Sequence, residues 1–308
     1  MLGASWFFIA LVGPLMYALT NHIDKILLEK YFKEGGAGTL ILFSSLASVL
    51  ALPFLFFMDT SVFGIDAANI VWLTVVGILN VLVLWCFFLA LKNEEASVTV
   101  VFYQLVPVFG YVLGFFILGE VLSTMQLMAM AIVILGTTIV SFEIDAENRF
   151  RLRKDTIVPM LGAAFFWAVE TVIFKAVALE EQLWRTLFWE HLMLAIIGLC
   201  IFVLLPSYRH HFLAAIRANS RGILGLNVIN EVLFMVGNVA FSYAALLVPI
   251  ALVLITESYQ PLFVFAIGIF LTVFFPRIAV EKIHARHLAQ KSLAIALTGI
   301  GTYLLITA

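Results

Sequence analysis

Charge is the scarcest property of this sequence: only 12% of its 308 residues are charged, while 64% are apolar. Soluble domains carry about twice that charged fraction, so the composition excludes an ordinary soluble protein. The near balance of 17 basic and 19 acidic residues also excludes the strongly basic surface that nucleic-acid binding requires. The mean hydropathy of +1.12 therefore predicts a polytopic membrane protein.

Cysteine and catalytic motifs are also scarce. Cys86 and Cys200 both fall in apolar runs, so the sequence predicts neither a disulfide nor a metal site. The HExxH, G-x-S-x-G and phosphate-binding GK[ST] motifs are absent. We therefore expect no enzyme, no cofactor and no ATP-driven pump.

Ten apolar runs separate the clusters of charged residues. A helix needs about 20 apolar residues to cross a bilayer, and the runs lack the alternation of membrane strands. They occupy 5–23, 37–57, 69–91, 96–118, 123–142, 156–178, 185–205, 222–245, 250–274 and 289–307. The sequence thus predicts an all-α membrane protein with ten transmembrane helices, which we number as spans 1 to 10.

The second half of the sequence contains a faint copy of the first. At an offset of 154 residues, the stretch 90–109 aligns with 244–263 and superposes Pro107 on Pro261. The long polar stretch 143–155 lies between the two copies, near the midpoint of the chain. The sequence therefore predicts an internal repeat of five spans.

The repeat fixes a topology. The two halves run over residues 1–148 and 149–308, and each contains an odd number of spans. The second half must therefore cross the membrane in the opposite sense to the first. We predict two inverted five-helix repeats, the plan of many secondary transporters, with the substrate site between them.

The stretch Ala96–Glu120 (ASVTVVFYQLVPVFGYVLGFFILGE) resembles the fourth-span signature of EamA-like members of the drug/metabolite transporter superfamily. The preceding Ala90-Leu91-Lys92 and the turn Leu118-Gly119-Glu120 fit the same pattern. The second half departs from it, because Val273-Phe274 stands where Gly-Glu is expected. The resemblance implies a ten-helix fold in two halves and a role in transport, and it implies no particular substrate.

Basic residues concentrate in alternate loops. Fifteen of the 17 lie in the loops that follow spans 1, 3, 5, 7 and 9, and the exceptions are Lys175 and Arg185. The positive-inside rule predicts that these odd-numbered loops are cytoplasmic, in the cell (inner) membrane, with both termini outside. The family resemblance implies the reverse orientation. We call the face of these loops the basic side, and the other face the opposite side.

Four glutamates fall inside predicted spans, all in the second half of the chain. A charged side chain near the bilayer centre costs ~2.5–3.5 kcal/mol on insertion scales, so such residues are functional candidates. Glu257, Glu231 and Glu170 lie well inside their spans and are expected to bind substrate or protons. Glu190 lies closer to a span end, where an interfacial carboxylate is an equal alternative.

Amides and aromatic rings accompany these acids. Asn227, Glu231 and Asn238 share one face of span 8 by their spacing. The prolines of spans 4 and 9 are expected to kink those helices beside polar side chains. Besides the three glutamates, the expected binding or coupling residues are Asn80, Asn227, Asn238, Tyr103, Gln104, Tyr259, Gln260, Trp85, Trp167 and Lys175.

Acids and aromatic rings together favour a small cationic or zwitterionic solute, such as an amine or an amino acid. Because burial disfavours the charged form of a carboxyl group, a glutamate in such a site can exchange a proton for substrate. We therefore predict a secondary active transporter that works by proton-coupled alternating access, as a monomer or weak homodimer in the lipid bilayer.

Three alternatives stay open at this point. The protein could exchange or facilitate a polar or anionic metabolite, with Lys175 and Lys25 recognising its charge and the acids pairing with these lysines. It could also be a membrane scaffold without transport activity. At the level of the residues, Glu231 and Glu257 could form structural pairs with Lys175 or His191.

Overall fold

The computed structural model describes residues 5–27, 36–91, 101–141, 154–274 and 285–307, and all regular structure within these ranges is helical. The α-helices of the described ranges are α1 (Ser5–Ile26), α2 (Gly36–Ala47), α3 (Leu52–Met58), α4 (Ala67–Leu91), α5 (Val106–Leu113), α6 (Thr124–Ser141), α7 (Lys154–Glu181), α8 (Leu183–Leu204), α9 (Pro206–Ala245), α10 (Ile250–Glu257), α11 (Gln260–Phe274) and α12 (Ala285–Thr307).

Seven stretches of these helices are long and apolar enough to cross a membrane, and they lie in α1, α2–α3, α4, α7, α8, α9 and α10–α11. Shorter apolar stretches stand at the places of predicted spans 4, 5 and 10: Phe102–Leu118, Thr124–Ile139 and Ala296–Thr307. The prediction of an all-helical chain with several membrane spans is confirmed for the described residues. The count of ten spans stays a prediction.

Spans 4 and 9, which carry Pro107 and Pro261, are both interrupted. In span 4, a 3₁₀ segment precedes α5, and Pro107 is the second residue of that helix. In span 9, α10 ends at Glu257 and α11 begins at Gln260 with Pro261 as its second residue. Proline is tolerated in the first turn of a helix, where its missing N–H would have no intrahelical partner. The expected distortions beside both prolines are therefore confirmed.

The helices pack across the two halves of the chain. α4 packs along α7, α1 along α9, and α6 along α12. Further contacts join α4 to α8, α2 to α9, α5 to α7, and α1 to both α10 and α11. Every residue of α10 is buried, so this half-helix is surrounded by protein. Non-helical backbone at membrane depth is tolerated when protein surrounds it, and the break after α10 meets that condition.

Glycines let several of these helices approach closely. Gly110 and Gly114 face Leu254 and Ile250 of α10. A Cβ on Gly301 of α12 would lie 2.7 Å from Cγ2 of Val133 and 2.9 Å from its backbone nitrogen. Because backbone atoms cannot move aside alone, α12 and α6 require glycine at that position.

We expect Gly301→Ala to destabilise the protein by about 1–3 kcal/mol, the usual cost of overpacking. Gly299 is the matched control, since no atom lies within 4 Å of a Cβ placed there on the same helix. Gly299→Ala should be neutral or stabilising by up to about 1 kcal/mol, through helix propensity. Unfolding of both variants in detergent measures the difference, and equal midpoints would contradict the packing described.

Candidate functional site

A buried carboxylate stands where span 9 breaks. Glu257 is the last residue of α10, is 7% exposed, and has no hydrogen-bond partner for either carboxylate oxygen among the described residues. A Cβ placed on Gly13 of α1 would lie 3.3 Å from Oε1 of Glu257 and 3.3 Å from Cβ of Phe241 on α9. Glu257 therefore lies beside α1, where α1 meets α9, and no described residue neutralises it.

Two further glutamates interact, as Glu257 does, with one tyrosine. The side chain of Tyr17, on α1, is near enough to Glu257, Glu190 and Glu170 to interact electrostatically with all three. Glu170 and Glu190 also interact with each other. We call Glu170, Glu190 and Glu257 with Tyr17 the central acidic site. Four helices, α1, α7, α8 and α10, contribute to it.

Asparagines hold two of the three carboxylates. Asn80 on α4 donates through Nδ2 to Oε1 of Glu170 at 3.1 Å, and Asn238 on α9 donates to Oε2 of Glu190 at 3.4 Å. The structure thus brings together four residues that the sequence proposed: Glu170, Glu257, Asn80 and Asn238. Each of the two asparagines is hydrogen-bonded to an acid of the site. Glu257 alone of the three acids lacks such a donor within the described residues.

The central acidic site lies deep within the helices. Glu190 and Glu257 each stand seven residues from the start of their helices, and Glu170 stands eleven residues before the end of α7. At 1.5 Å per residue these separations are about 10–17 Å along the helix axes. In a hydrocarbon layer of about 30 Å they correspond to the middle of the membrane.

Glu231 lies apart from this site, toward the basic side. It is two helical turns from Asn238 on α9, is 8% exposed, and its Oε1 has no partner among the described residues. Asn227 donates to the carbonyl of Ile223 in its own helix at 2.8 Å. The predicted polar face of span 8 thus has one end at the central acidic site, through Asn238, and the other end at Asn227, about one turn beyond Glu231.

Predicted aromatic residues form contacts among the spans. Trp167 packs edge-on against Tyr103 with ring centroids 5.1 Å apart, and Tyr103 stacks on Phe87 at 5.7 Å. Trp85 is 46% exposed. The hydroxyl of Tyr259 meets Thr302 of α12. Their role as substrate contacts stays a prediction.

The predicted amides of spans 4 and 9 differ in what they contact. Gln104 is buried and accepts a hydrogen bond from Oγ1 of Thr137 on α6 at 2.9 Å. Gln260 is the first residue of α11 and is partly exposed. Gln104 therefore ties span 4 to span 5, and its proposed part in binding, like that of Gln260, stays a prediction.

Lys175 is paired with a carboxylate that the sequence left outside the candidate set. Its ammonium contacts Oε1 of Glu120, with side-chain exposures of 5% and 16%, and donates to the carbonyl of Val248 at 2.7 Å. The second oxygen, Oε2 of Glu120, accepts from the backbone N–H of Ile250 at 2.7 Å. This cluster joins the ends of spans 4, 6 and 9 on the opposite side of the bundle.

The suggested structural pairs of the buried acids take a different form. Lys175 contacts Glu120 and not Glu231 or Glu257. Nδ1 of His191 lies 3.8 Å from Oε2 of Glu190 and bonds to the carbonyl of Leu187 at 2.9 Å. Neither basic residue therefore pairs with Glu231 or Glu257 within the described residues.

Tyr17, Glu190 and Glu120 are the residues that sequence reasoning missed or undervalued. Tyr17 carried a weak signal, since it stands eight residues before Lys25 as Trp167 stands eight before Lys175. Glu120 ends the Leu118-Gly119-Glu120 turn, and Gly119 adopts a φ of 67° that glycine readily allows. That turn places the carboxylate of Glu120 at the first residue of α10.

A second polar network joins the loops of the opposite side. Arg185 donates to Oε2 of Glu181 at 3.1 Å and to Oγ of Ser61 at 2.9 Å, and its Nε lies 3.6 Å from Oδ2 of Asp59. Asn69 donates to Oε1 of Glu181 at 2.9 Å. Arg185, an exception to the positive-inside pattern, is therefore offset by two carboxylates.

Acidification is expected to weaken this network through Asp59. Hydrogen bonds from Ser61, with the nearby Arg185, hold the pKa of Asp59 below its usual value. Because the unfolded pKa is about 3.9, the stabilisation is complete above about pH 4 and is lost as the pH falls through the lower folded value. Thermal unfolding from pH 6 to pH 3 should therefore fall less steeply for Asp59→Asn than for the parent protein, and equal slopes would contradict this assignment.

Three comparisons place the chain among known proteins. Residues 4–142 match the sequence model of the EamA-like transporter family, which confirms the resemblance seen in span 4. Among 28 matching chains of solved structures, one named "Crystal structure of protein" has a TM-score of 0.62 and 15% identity, over 98% of this chain and 95% of its own. At that identity it shows the fold alone. No curated protein matches significantly.

Proposed function

We propose that this chain, whose residues 4–142 match the sequence model of the EamA-like transporter family, is a proton-coupled secondary transporter of a small cationic or zwitterionic solute. The observation that carries this proposal is Glu257, a buried carboxylate without a partner among the described residues, at the break of a membrane helix. Discontinuous helices with polar groups near the midplane are typical binding elements of secondary transporters.

The packing pattern supports the inverted repeat that alternating access uses. In such a repeat, spans 1 to 5 correspond to spans 6 to 10. Exchanging the halves then converts the contact of span 3 (α4) with span 6 (α7) into the contact of span 8 (α9) with span 1 (α1). In the same way, the contact of span 3 (α4) with span 7 (α8) becomes the contact of span 8 (α9) with span 2 (α2). All four of these contacts are present. Pro107 and Pro261 are each the second residue of the helix after the break. A two-fold exchange of the halves accounts for all of these correspondences.

The charges of the central acidic site support the substrate class. Three carboxyl groups interact electrostatically with Tyr17, whereas Lys175 is engaged by Glu120 and by the carbonyl of Val248. A site with three acids attracts a cation or the ammonium group of a zwitterion. An anion would have to displace Glu120 from Lys175 before it met a positive charge there.

The hydrogen bonds of the site support different roles for its three acids. Glu170 and Glu190 each accept a hydrogen bond from an asparagine, while Glu257 accepts none from the described residues. Glu257 can therefore bind a proton or an ammonium group without first losing a protein donor. Competition between the two for one carboxylate couples solute movement to proton movement.

The cluster around Glu120 supplies one of the two closed ends that alternating access needs. It fastens spans 4, 6 and 9 on the opposite side, next to the start of the half-helix that carries Glu257. Opening on that side requires Glu120 to release Lys175, Ile250 or both. The central acidic site would then be accessible from that side.

Ligand-induced thermal shifts test the substrate class. The purified chain in detergent is heated with a panel of amines, amino acids and size-matched organic anions. We expect amines or amino acids to raise the melting temperature, and expect Glu257→Gln to lose that shift while Glu180→Gln, at the exposed end of α7, retains it. A shift with anions alone would overturn the substrate class, and no shift across the panel would favour a scaffold.

A further inference from the structure

The helix α9 is much longer than the membrane span within it. It covers Pro206–Ala245, 40 residues, whereas its membrane span begins at Arg221. At 1.5 Å per residue the whole helix is about 60 Å long, twice the thickness of a hydrocarbon layer of about 30 Å. The part over 206–220 therefore precedes the span, and it starts directly after the end of α8 at Leu204.

One side of this extension is anchored to the ends of neighbouring spans. The ring of Phe212 lies 4.4 Å from that of Phe43 on α2 and 5.8 Å from that of Phe202 on α8. A Cβ placed on Gly38 would lie only 2.7 Å from the ring of Tyr208. Gly38 and Phe202 stand near the ends of their helices, so these contacts place the extension beside those ends of α2 and α8.

The other side of the extension is basic. His210, Arg217 and Arg221 are exposed and are spaced by seven and four residues, which places them on one helix face. The exposed Ala214 and Ala218 lie between them and add little bulk. No acidic residue occurs in the sequence from 206 to 230, and neither arginine forms an ion pair with a described residue. We call His210, Arg217 and Arg221 the basic face of α9.

We propose that the basic face of α9 binds the headgroups of anionic phospholipids in the adjacent leaflet. Guanidinium groups form two parallel hydrogen bonds to phosphate, and exposed arginines at a membrane surface are attracted by anionic lipids. An amphipathic helix that lies at the interface with a basic polar face is a recognised form of lipid contact. Here the apolar face contacts the protein, so the lipid meets the basic face alone.

Lipid titration of the purified full chain in a neutral detergent tests this proposal. Phosphatidylglycerol is expected to raise the melting temperature and to remain bound in native mass spectrometry, whereas phosphatidylcholine should do neither. The double variant Arg217→Gln/Arg221→Gln should need about 25-fold more phosphatidylglycerol, from about fivefold for each arginine. The effect should weaken with salt, because exposed charges are screened.

The matched control is Arg209→Gln on the same extension. Arg209 is half-buried, donates to the carbonyl of Val203 at 3.5 Å, and lies off the basic face. It should keep the lipid response of the parent chain, and the melting temperatures without lipid should confirm that all variants fold. The same response in the double variant as in the parent would overturn the proposal. An equal shift with soluble glycerol phosphate would also overturn it, since that outcome indicates a phosphate site without a lipid.

Discussion

Glu257→Gln is expected to abolish solute-driven proton movement in proteoliposomes. Glutamine keeps the size of the side chain but cannot exchange a proton, so coupling through this residue is lost. Solute affinity should fall as well. A hydrogen bond to a charged group contributes about 1.5–3 kcal/mol, so the apparent KM should rise roughly 10- to 100-fold.

An entrapped pH-sensitive dye measures this loss directly, because each transported solute should change the internal pH in the parent protein. The control is Glu180→Gln, the same substitution on an exposed residue that accepts from Asn69 at 3.2 Å outside the central acidic site. It should transport normally. Parent-like proton movement in Glu257→Gln would show that this carboxylate is not the coupling group.

Lys175→Met is expected to cause the largest loss of stability. It removes the cation beside Glu120 in a pair whose side chains are only 5% and 16% exposed. Breaking a buried ion pair by removing one partner costs about 3–5 kcal/mol, because an uncompensated charge remains. The start of α10 should be destabilised as well, since Glu120 also accepts a hydrogen bond from the N–H of Ile250.

A double-mutant cycle isolates the charge interaction of this pair. Glu120→Gln retains an oxygen that can accept from Ile250, so it removes the charge and keeps the contact with α10. The double variant Glu120→Gln/Lys175→Met leaves no unpaired charge and should recover much of the stability lost in either single variant. Unfolding free energies in detergent give the coupling energy. Additive losses in the three variants would contradict a direct interaction between the two residues.

Local features of the sequence were enough to find the break in span 9 and its carboxylate. A charge within a long apolar run is costly in a membrane, so Glu257 stood out without any knowledge of the fold. Pro261 lacks the N–H that would donate to the carbonyl of Glu257 in a continuous helix. In the structure the chain leaves the α-helix between Glu257 and Gln260, within the turn that precedes this proline. Both signals, a charged residue in an apolar run and a proline without an N–H, are properties of single residues within one helical turn.

Contacts between distant spans could not be predicted in the same way. Glu120 and Lys175 are 55 residues apart, and nothing in their spacing indicates that they meet. The place of Glu190 in span 7 leaves an interfacial carboxylate as an equal alternative, yet Glu190 interacts with Tyr17 and Glu170 from other spans. These contacts depend on how the helices rotate and tilt against each other, which hydropathy does not determine.

The direction of side chains near a helix break was also beyond the sequence. Tyr259 follows Glu257 by two residues, and its position beside Pro261 suggested a wall of the binding site. In the structure its hydroxyl meets Thr302 and its ring packs edge-on against Phe7 at 5.7 Å. Helical periodicity predicts a shared face only within a continuous helix, and Ser258 and Tyr259 lie in the turn between two helices.

Solute accumulation under an imposed pH gradient tests the central claim most directly. Proteoliposomes that contain the parent chain are given a solute from the thermal-shift panel at equal concentrations inside and outside, and a pH difference is then imposed. We predict that the solute accumulates on one side, and on the other side when the pH difference is reversed. Equal concentrations maintained under both gradients would contradict proton-coupled transport.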